Sequence, residues 1–164
     1  MEISERLANA INDQIVHEFQ ASHQYLAAAG YFKEKELALL HKLFMKQSDE
    51  ERAHALKFVA YLWDTNSKLE LKAIPAAYGN FKSSEDVMDG ALKWEKEVTR
   101  RINELMAIAV EDKDYQSQSF FKWFIDEQLE EENSMLTLLN VVKMSGEKNL
   151  LMVEAYLAHL KKMD

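Results

Sequence analysis

The stretch FMKQSDEERAHALKFVAYL, residues 44–62, decides how the chain reads. At the helical repeat its inward stripe is Phe44, Gln47, Glu51, His54 with Ala55, Phe58 and Leu62. That stripe is apolar at both ends and acidic in the middle. Three other segments repeat the pattern. One carries Ile11, Ile15, Glu18, Ser22, Tyr25 and Ala29. Another carries Leu92, Glu95, Val98, Ile102, Leu105 and Ala109, and the last carries Phe121, Phe124, Gln128, Glu131, Met135, Leu138 and Val142. A single glutamate in such a stripe usually reaches water at the helix edge. Four of them, at matching heights of antiparallel helices, would each cost several kcal/mol to bury as ions and would repel one another. His54 is the one nitrogen ligand facing the seam, and no Lys or Arg points there. Bound divalent cations are the economical compensation.

Outward from these stripes, the 3.6-residue pattern predicts helices over about residues 3–32, 37–65, 84–113, 116–144 and 147–162. Ser4 is the expected cap of the first helix, and Ser83 or Ser84 that of the third. Glu85 and Asp86 follow in the first turn of the third helix, where the dipole favours anions. Ser145-Gly146 is a C-terminal stop. Residues 66–82 hold the single proline, Pro75, with Gly79 and Asn80, and read as an ordered crossover. Extended chain covers about 3.3 Å per residue, so this link spans a bundle. The short first and third links make antiparallel hairpins. The expected fold is all-α, one domain over residues 1–164: a four-helix bundle with one long crossover and a short fifth C-terminal helix.

Composition agrees and excludes. With 4 Gly and 1 Pro, little interrupts long helices. A net charge of −8 argues against nucleic acid and suits a surface that attracts cations. The absence of Cys removes disulfides, thiolate zinc and iron–sulfur clusters together. The N-terminus lacks the apolar core of a signal peptide, and no apolar run reaches membrane-spanning length. A soluble, cytoplasmic protein with no membrane partner is expected.

Glu51 and His54 stand three residues apart and converge on one point, the Glu-x-x-His element of dinuclear carboxylate bundles. Gln128 and Glu131 repeat the spacing. The site is therefore asymmetric: Glu18, Glu51 and His54 around one metal, Glu51, Glu95 and Glu131 around the other, with Glu51 bridging. Oxygen-rich ligation with one imidazole suits iron or manganese. Glu50, Glu127 and Glu130 each precede a seam position and project to one side; a third, weaker metal site and a solvated acidic face account for them equally well.

With Glu50-Glu51-Arg52-Ala53-His54, Trp123 to Glu132, His17-Glu18-Phe19 and Tyr25 in place, the sequence resembles the bacterial and archaeal non-haem ferritins along essentially its whole length. The resemblance implies a ferritin-like bundle in a homo-oligomeric shell of 24 subunits. It implies ferroxidase activity with O2 or H2O2, two irons per subunit, and ferric mineral stored in the cavity. By similarity Glu18, Glu51 and His54 match the first iron site, and Glu51, Glu95 and Glu131 the second. Gln128 matches an amide near bound dioxygen species, Tyr25 the tyrosine beside the centre, and Glu50, Glu127 and Glu130 a third site. The fifth helix would line a fourfold channel. Leu129 stands where many relatives have His. Bacterioferritins carry a second Glu-x-x-His and a haem-ligating Met; Glu131 and Arg52 stand there, so no haem is expected.

His17, His23, His41 and His159 are expected at the surface or its edge, and Trp94 and Trp123 as packing groups. Glu111, Asp112 and Asp114 near the third link would line a cation pore or simply form a solvated acidic turn. Two other functions compete: a dinuclear peroxidase or Mn-dependent oxidase without storage, and a four-helix interaction protein whose acids are incidental.

Overall fold

The computed structural model describes residues 2–160. Its elements are α1 (Glu5–Glu34), α2 (Ala38–Asp64), α3 (Ser84–Glu111), α4 (Tyr115–Ser145), a 3-10 turn (Glu147–Asn149) and α5 (Leu150–Leu160). The last expected residues of the fifth helix, 161 and 162, lie outside the described residues. Its first expected turn is the 3-10 segment, set off from α4 by Gly146 at φ 70°.

Side chains start most of these helices. Ser4 accepts from the Leu7 amide, Ser83 from Asp86, and Asp114 from Ser117, each satisfying a donor that has no partner within the helix. α2 has no such cap of its own: Leu37 stands at its N-cap. Instead Glu154, from α5, accepts from the amides of Leu39 and Leu40 at 2.8 Å each. Glu147 does the same for α3, taking the Ser84 amide at 3.0 Å while Lys35 approaches at 3.3 Å. Two carboxylates near the C-terminus thus sit on the positive ends of two bundle helices. Glu154→Ala should cost roughly 1–2 kcal/mol, as loss of a helix cap does. A lowered thermal midpoint, against an unchanged one for exposed Lys96→Ala in mid-α3, checks this.

The hairpins α1–α2 and α3–α4 pack together through α1 and α3, and α5 lies against α2 and α4. The tight links use left-handed residues, Glu36 (φ 58°) and Lys113 (φ 54°). Between α2 and α3 the crossover runs along α1 and is pinned there by two amide side chains. Asn12 holds the carbonyl of Lys68 and the amide of Glu70, and Gln24 holds both backbone groups of Tyr78. Leu69 to Leu71 find no partner strand among the described residues.

The core is divided. One apolar cluster gathers Tyr25, Phe32, Phe44, Met88, Met135 and Leu157. The other gathers Leu7, Ile11, Phe58, Ile102, Phe121 and Phe124. What parts them is a layer of buried polar side chains at mid-bundle.

Candidate metal centre

That layer is built by the four interrupted stripes. α1 contributes Glu18, α2 Glu51 and His54, α3 Glu95, and α4 Gln128 and Glu131. All are buried; Glu18 and Glu95 are 0% exposed. Candidate ligand atoms of Glu18, Glu51 and His54 all lie within 4.8 Å of one another. His54 Nδ1 is 3.3 Å from Glu51. Glu95 lies across the layer: the Tyr25 hydroxyl donates to its Oε1, and Gln128 Nε2 donates to its Oε2 at 3.1 Å. Among the described residues no Lys or Arg pairs with any of the four acids, whereas Glu50 is held by Lys46 at 2.9 Å.

The electrostatics follow from that imbalance. Burial, then the charge of Glu51, holds the Glu18 carboxyl well above the usual carboxylate range. The same two causes in the same order push Glu95 up to about 8 and Glu131 up to about 7. Burial lowers the basicity of His54, but its bond to Glu51 and the neighbouring acids outweigh this and raise it. Burial and the charge of Glu95 hold the Tyr25 phenol protonated. Glu51 is therefore the group that each of the other three acids feels next after burial. Without a cation the layer holds protons; divalent cations would take their place.

Two buried amides complete the layer, and the sequence reading gave neither a role. Gln14 Nε2 donates to Glu18 Oε1 at 2.8 Å, which leaves Glu18 Oε2 buried without a partner. Gln47 Nε2 bridges Glu51 at 3.0 Å and Glu131 at 2.8 Å. Both pairs have the i, i+4 spacing, Gln14 to Glu18 and Gln47 to Glu51, and that repeat was the available signal. Gln14→Leu should weaken binding of Zn(II) or Co(II) about tenfold by calorimetry, as loss of a group supporting a ligand does. Unchanged affinity in a normally helical variant would reject that role.

Glu50, Glu127 and Glu130 stand apart from the layer. With Glu131 and Gln47 they line an open cleft of about 400 Å³ between α2 and α4. His17 departs from the expected place at the surface or its edge. It is buried and stacks on Trp94 at 4.6 Å, and burial, with the Arg101 charge, lowers its pKa to about 4. The reason is its place in the α1/α3 seam, where Trp94 covers it. Trp123 is a partly exposed packing group beside His54, with the Lys57 ammonium 3.3 Å from its ring centre.

A family profile described as "Ferritin-like domain" matches residues 8–145. The "Bacterial non-heme ferritin" of Staphylococcus haemolyticus (strain JCSC1435) is 38% identical over 145 residues, covering 88% of this chain and 87% of that protein. The protein of the same description from Staphylococcus aureus (strain USA300) matches at the same identity and coverage. Among solved structures, an open pore ferritin from the hyperthermophilic archaeon Archaeoglobus fulgidus superposes with a TM-score of 0.91 at 30% identity, over 95% of this chain and 98% of that one. A humanized archaeal ferritin superposes equally well, with a TM-score of 0.91 at 30% identity, over 95% and 96% of the two chains.

Proposed function

The chain belongs to the ferritin family, and on that premise we propose that it oxidises Fe(II) at the mid-bundle layer and stores the ferric product inside a shell of its own copies. One observation carries the reading: four buried carboxylates and one imidazole meet, and among the described residues no Lys or Arg pairs with those acids. Iron is the substrate. Glu18, Glu51 and His54 would hold one ion and Glu51, Glu95 and Glu131 the other, about 3.5–4 Å apart with Glu51 between them. Hard, anionic oxygens favour Fe(III) over Fe(II), which lowers the cost of giving up an electron. Each of two irons yields one electron to dioxygen, which leaves as peroxide, or to hydrogen peroxide, which leaves as water. Protons displaced from the acids supply the two that either reduction consumes.

Gln14 and Gln47 fix which oxygens of Glu18, Glu51 and Glu131 face inward. Gln128 orients Glu95, and its amide would contact a dioxygen species bound there. Tyr25 hydrogen-bonds Glu95 and holds that carboxyl in place. Glu50, Glu127 and Glu130 form the third iron site and draw Fe(II) toward the first two. No haem is required. The apolar surface left by one chain, including Trp63, Leu71, Tyr115 and Leu151, suits burial against neighbours, and a 24-subunit shell is the assembly we propose.

Stopped-flow absorbance on mixing apoprotein with Fe(II) in aerated buffer tests the reading. A fast phase that saturates at two irons per chain is expected. A dimer on size-exclusion chromatography, with oxidation but no retained mineral, would favour the oxidase without storage. No saturable fast phase would end the ferroxidase reading.

A further inference from the structure

The centre lies between two seams of the bundle, and opposite chemistry lines them. The α2/α4 seam opens on four carboxylates, Glu50, Glu127, Glu130 and Glu131, against two lysines, Lys42 and Lys46. The α1/α3 seam opens on a pocket of about 230 Å³ whose walls are Tyr25, Ala28, Val87, Gly90, Ala91 and Trp94. The crossover roofs it with Tyr78 and Phe81, whose rings meet edge to face at 5.4 Å. The two polar groups at its rim are already satisfied. Gln24 exchanges two hydrogen bonds of 2.9 Å with the Tyr78 backbone, and Asp86 accepts from the Lys82 amide at 3.0 Å. The walls between them are mainly apolar, with the Asp86 carboxylate at the rim and the Trp94 indole N–H buried behind its ring. Its wall toward the centre is Tyr25, whose hydroxyl donates to Glu95.

Gly90 gives access to this pocket by substitution. It lies inside α3, where glycine is among the least favourable residues, and its backbone is not left-handed. A Cβ built there meets no atom within 4 Å. Gly90 lines the pocket at an exposed position, so a larger apolar side chain there has open space at the pocket wall.

We propose that this α1/α3 pocket binds dioxygen and delivers it past Tyr25 to the centre, so that the cation arrives through the acidic seam and the neutral oxidant through the apolar one. The proposal rests on the ferroxidase reading. Charge sorts the two reactants: the carboxylate seam concentrates Fe(II) and offers nothing to an uncharged diatomic. Dioxygen is weakly solvated and partitions into apolar space, whereas hydrogen peroxide must give up hydrogen bonds to enter it.

The test is Gly90→Leu, which puts an apolar side chain at the pocket wall, with Gly30→Leu as control. Gly30 is also a helical glycine with open space at its Cβ, and it lines no part of the pocket. Initial rates of Fe(II) oxidation are measured against dioxygen concentration. Gly90→Leu should raise KM for dioxygen at least fivefold and leave kcat and the peroxide-driven rate near wild type; Gly30→Leu should match wild type throughout. Xenon-pressurised crystals give a readout free of activity: xenon should occupy the pocket in wild type and be excluded from it in Gly90→Leu. If the leucine variant fails to assemble, Gly90→Ala and the wild-type xenon site decide. An unchanged KM for dioxygen in a folded Gly90→Leu, or a pocket without xenon, overturns this proposal alone. Wild-type protein with no dioxygen-dependent oxidation overturns the ferroxidase reading beneath it.

Discussion

Glu51→Ala should slow the fast phase of Fe(II) oxidation at least a hundredfold while leaving the folded, metal-free protein no less stable than wild type. Glu51 acts by its charge on each of the other three acids of the layer. Its Oε1 accepts from Gln47 and its Oε2 faces His54. After burial, its charge is the chief reason that Glu18, Glu95 and Glu131 resist ionisation. Removing it takes away the group shared by both proposed iron positions, so two ions no longer share a ligand and the paired electron transfer to one oxidant is lost. The same removal relieves repulsion among the remaining acids, which offsets the small cavity left behind. Loss of rate together with retained thermal stability is the signature. A purely structural Glu51 would give the reverse, and wild-type stopped-flow rates in the variant would refute the assignment.

The second large effect is on pH. Glu95 and Glu131 hold their protons in the folded, metal-free chain up to about 8 and about 7, whereas the unfolded chain releases them near the ordinary value of 4.5. Acids raised in this way contribute stability that is fully present below the unfolded value. That contribution is lost as pH rises through the folded values. Metal-free protein should therefore weaken between about pH 5 and pH 8, by several kcal/mol for the two groups together, and change no further from this cause above that range. A bound divalent cation replaces the protons, so Zn(II), which has no redox chemistry, should flatten the profile. Thermal midpoints from pH 5 to pH 9, with and without Zn(II), measure this. Calorimetry in buffers of different ionisation enthalpy should show protons released on Zn(II) binding at pH 6, and fewer at pH 9. Glu95→Gln and Glu131→Gln should each remove part of the slope. A level metal-free profile would show that the layer is not held by protons.

Much of this was legible in the chain because helix periodicity is local. The glutamates of the four stripes and their common height follow from counting along each helix, and the crossover length then leaves few ways to join them. What escaped the reading depends on partners far away in sequence. Gln14 and Gln47 look like ordinary polar residues until the acids they serve are seen to lie at the centre. His17 looks like an edge residue until Trp94, from α3, is laid over it. The support of α2 by Glu154 links residues 115 positions apart, and no spacing rule reaches that far. Gly90 was silent for the same reason: a glycine inside a periodic run carries no message until the space beside it is known.

The two acids near the C-terminus also bear on how copies would come together. Because Glu147 and Glu154 peg the last helix to the bundle through backbone amides, its outward side chains Leu151 and Met152 are already aimed before any neighbour arrives. A free subunit then surrenders less orientational freedom when it docks than one with a loose tail would, and that saving recurs at every contact the helix makes. Quaternary order, on this view, is drafted inside the monomer.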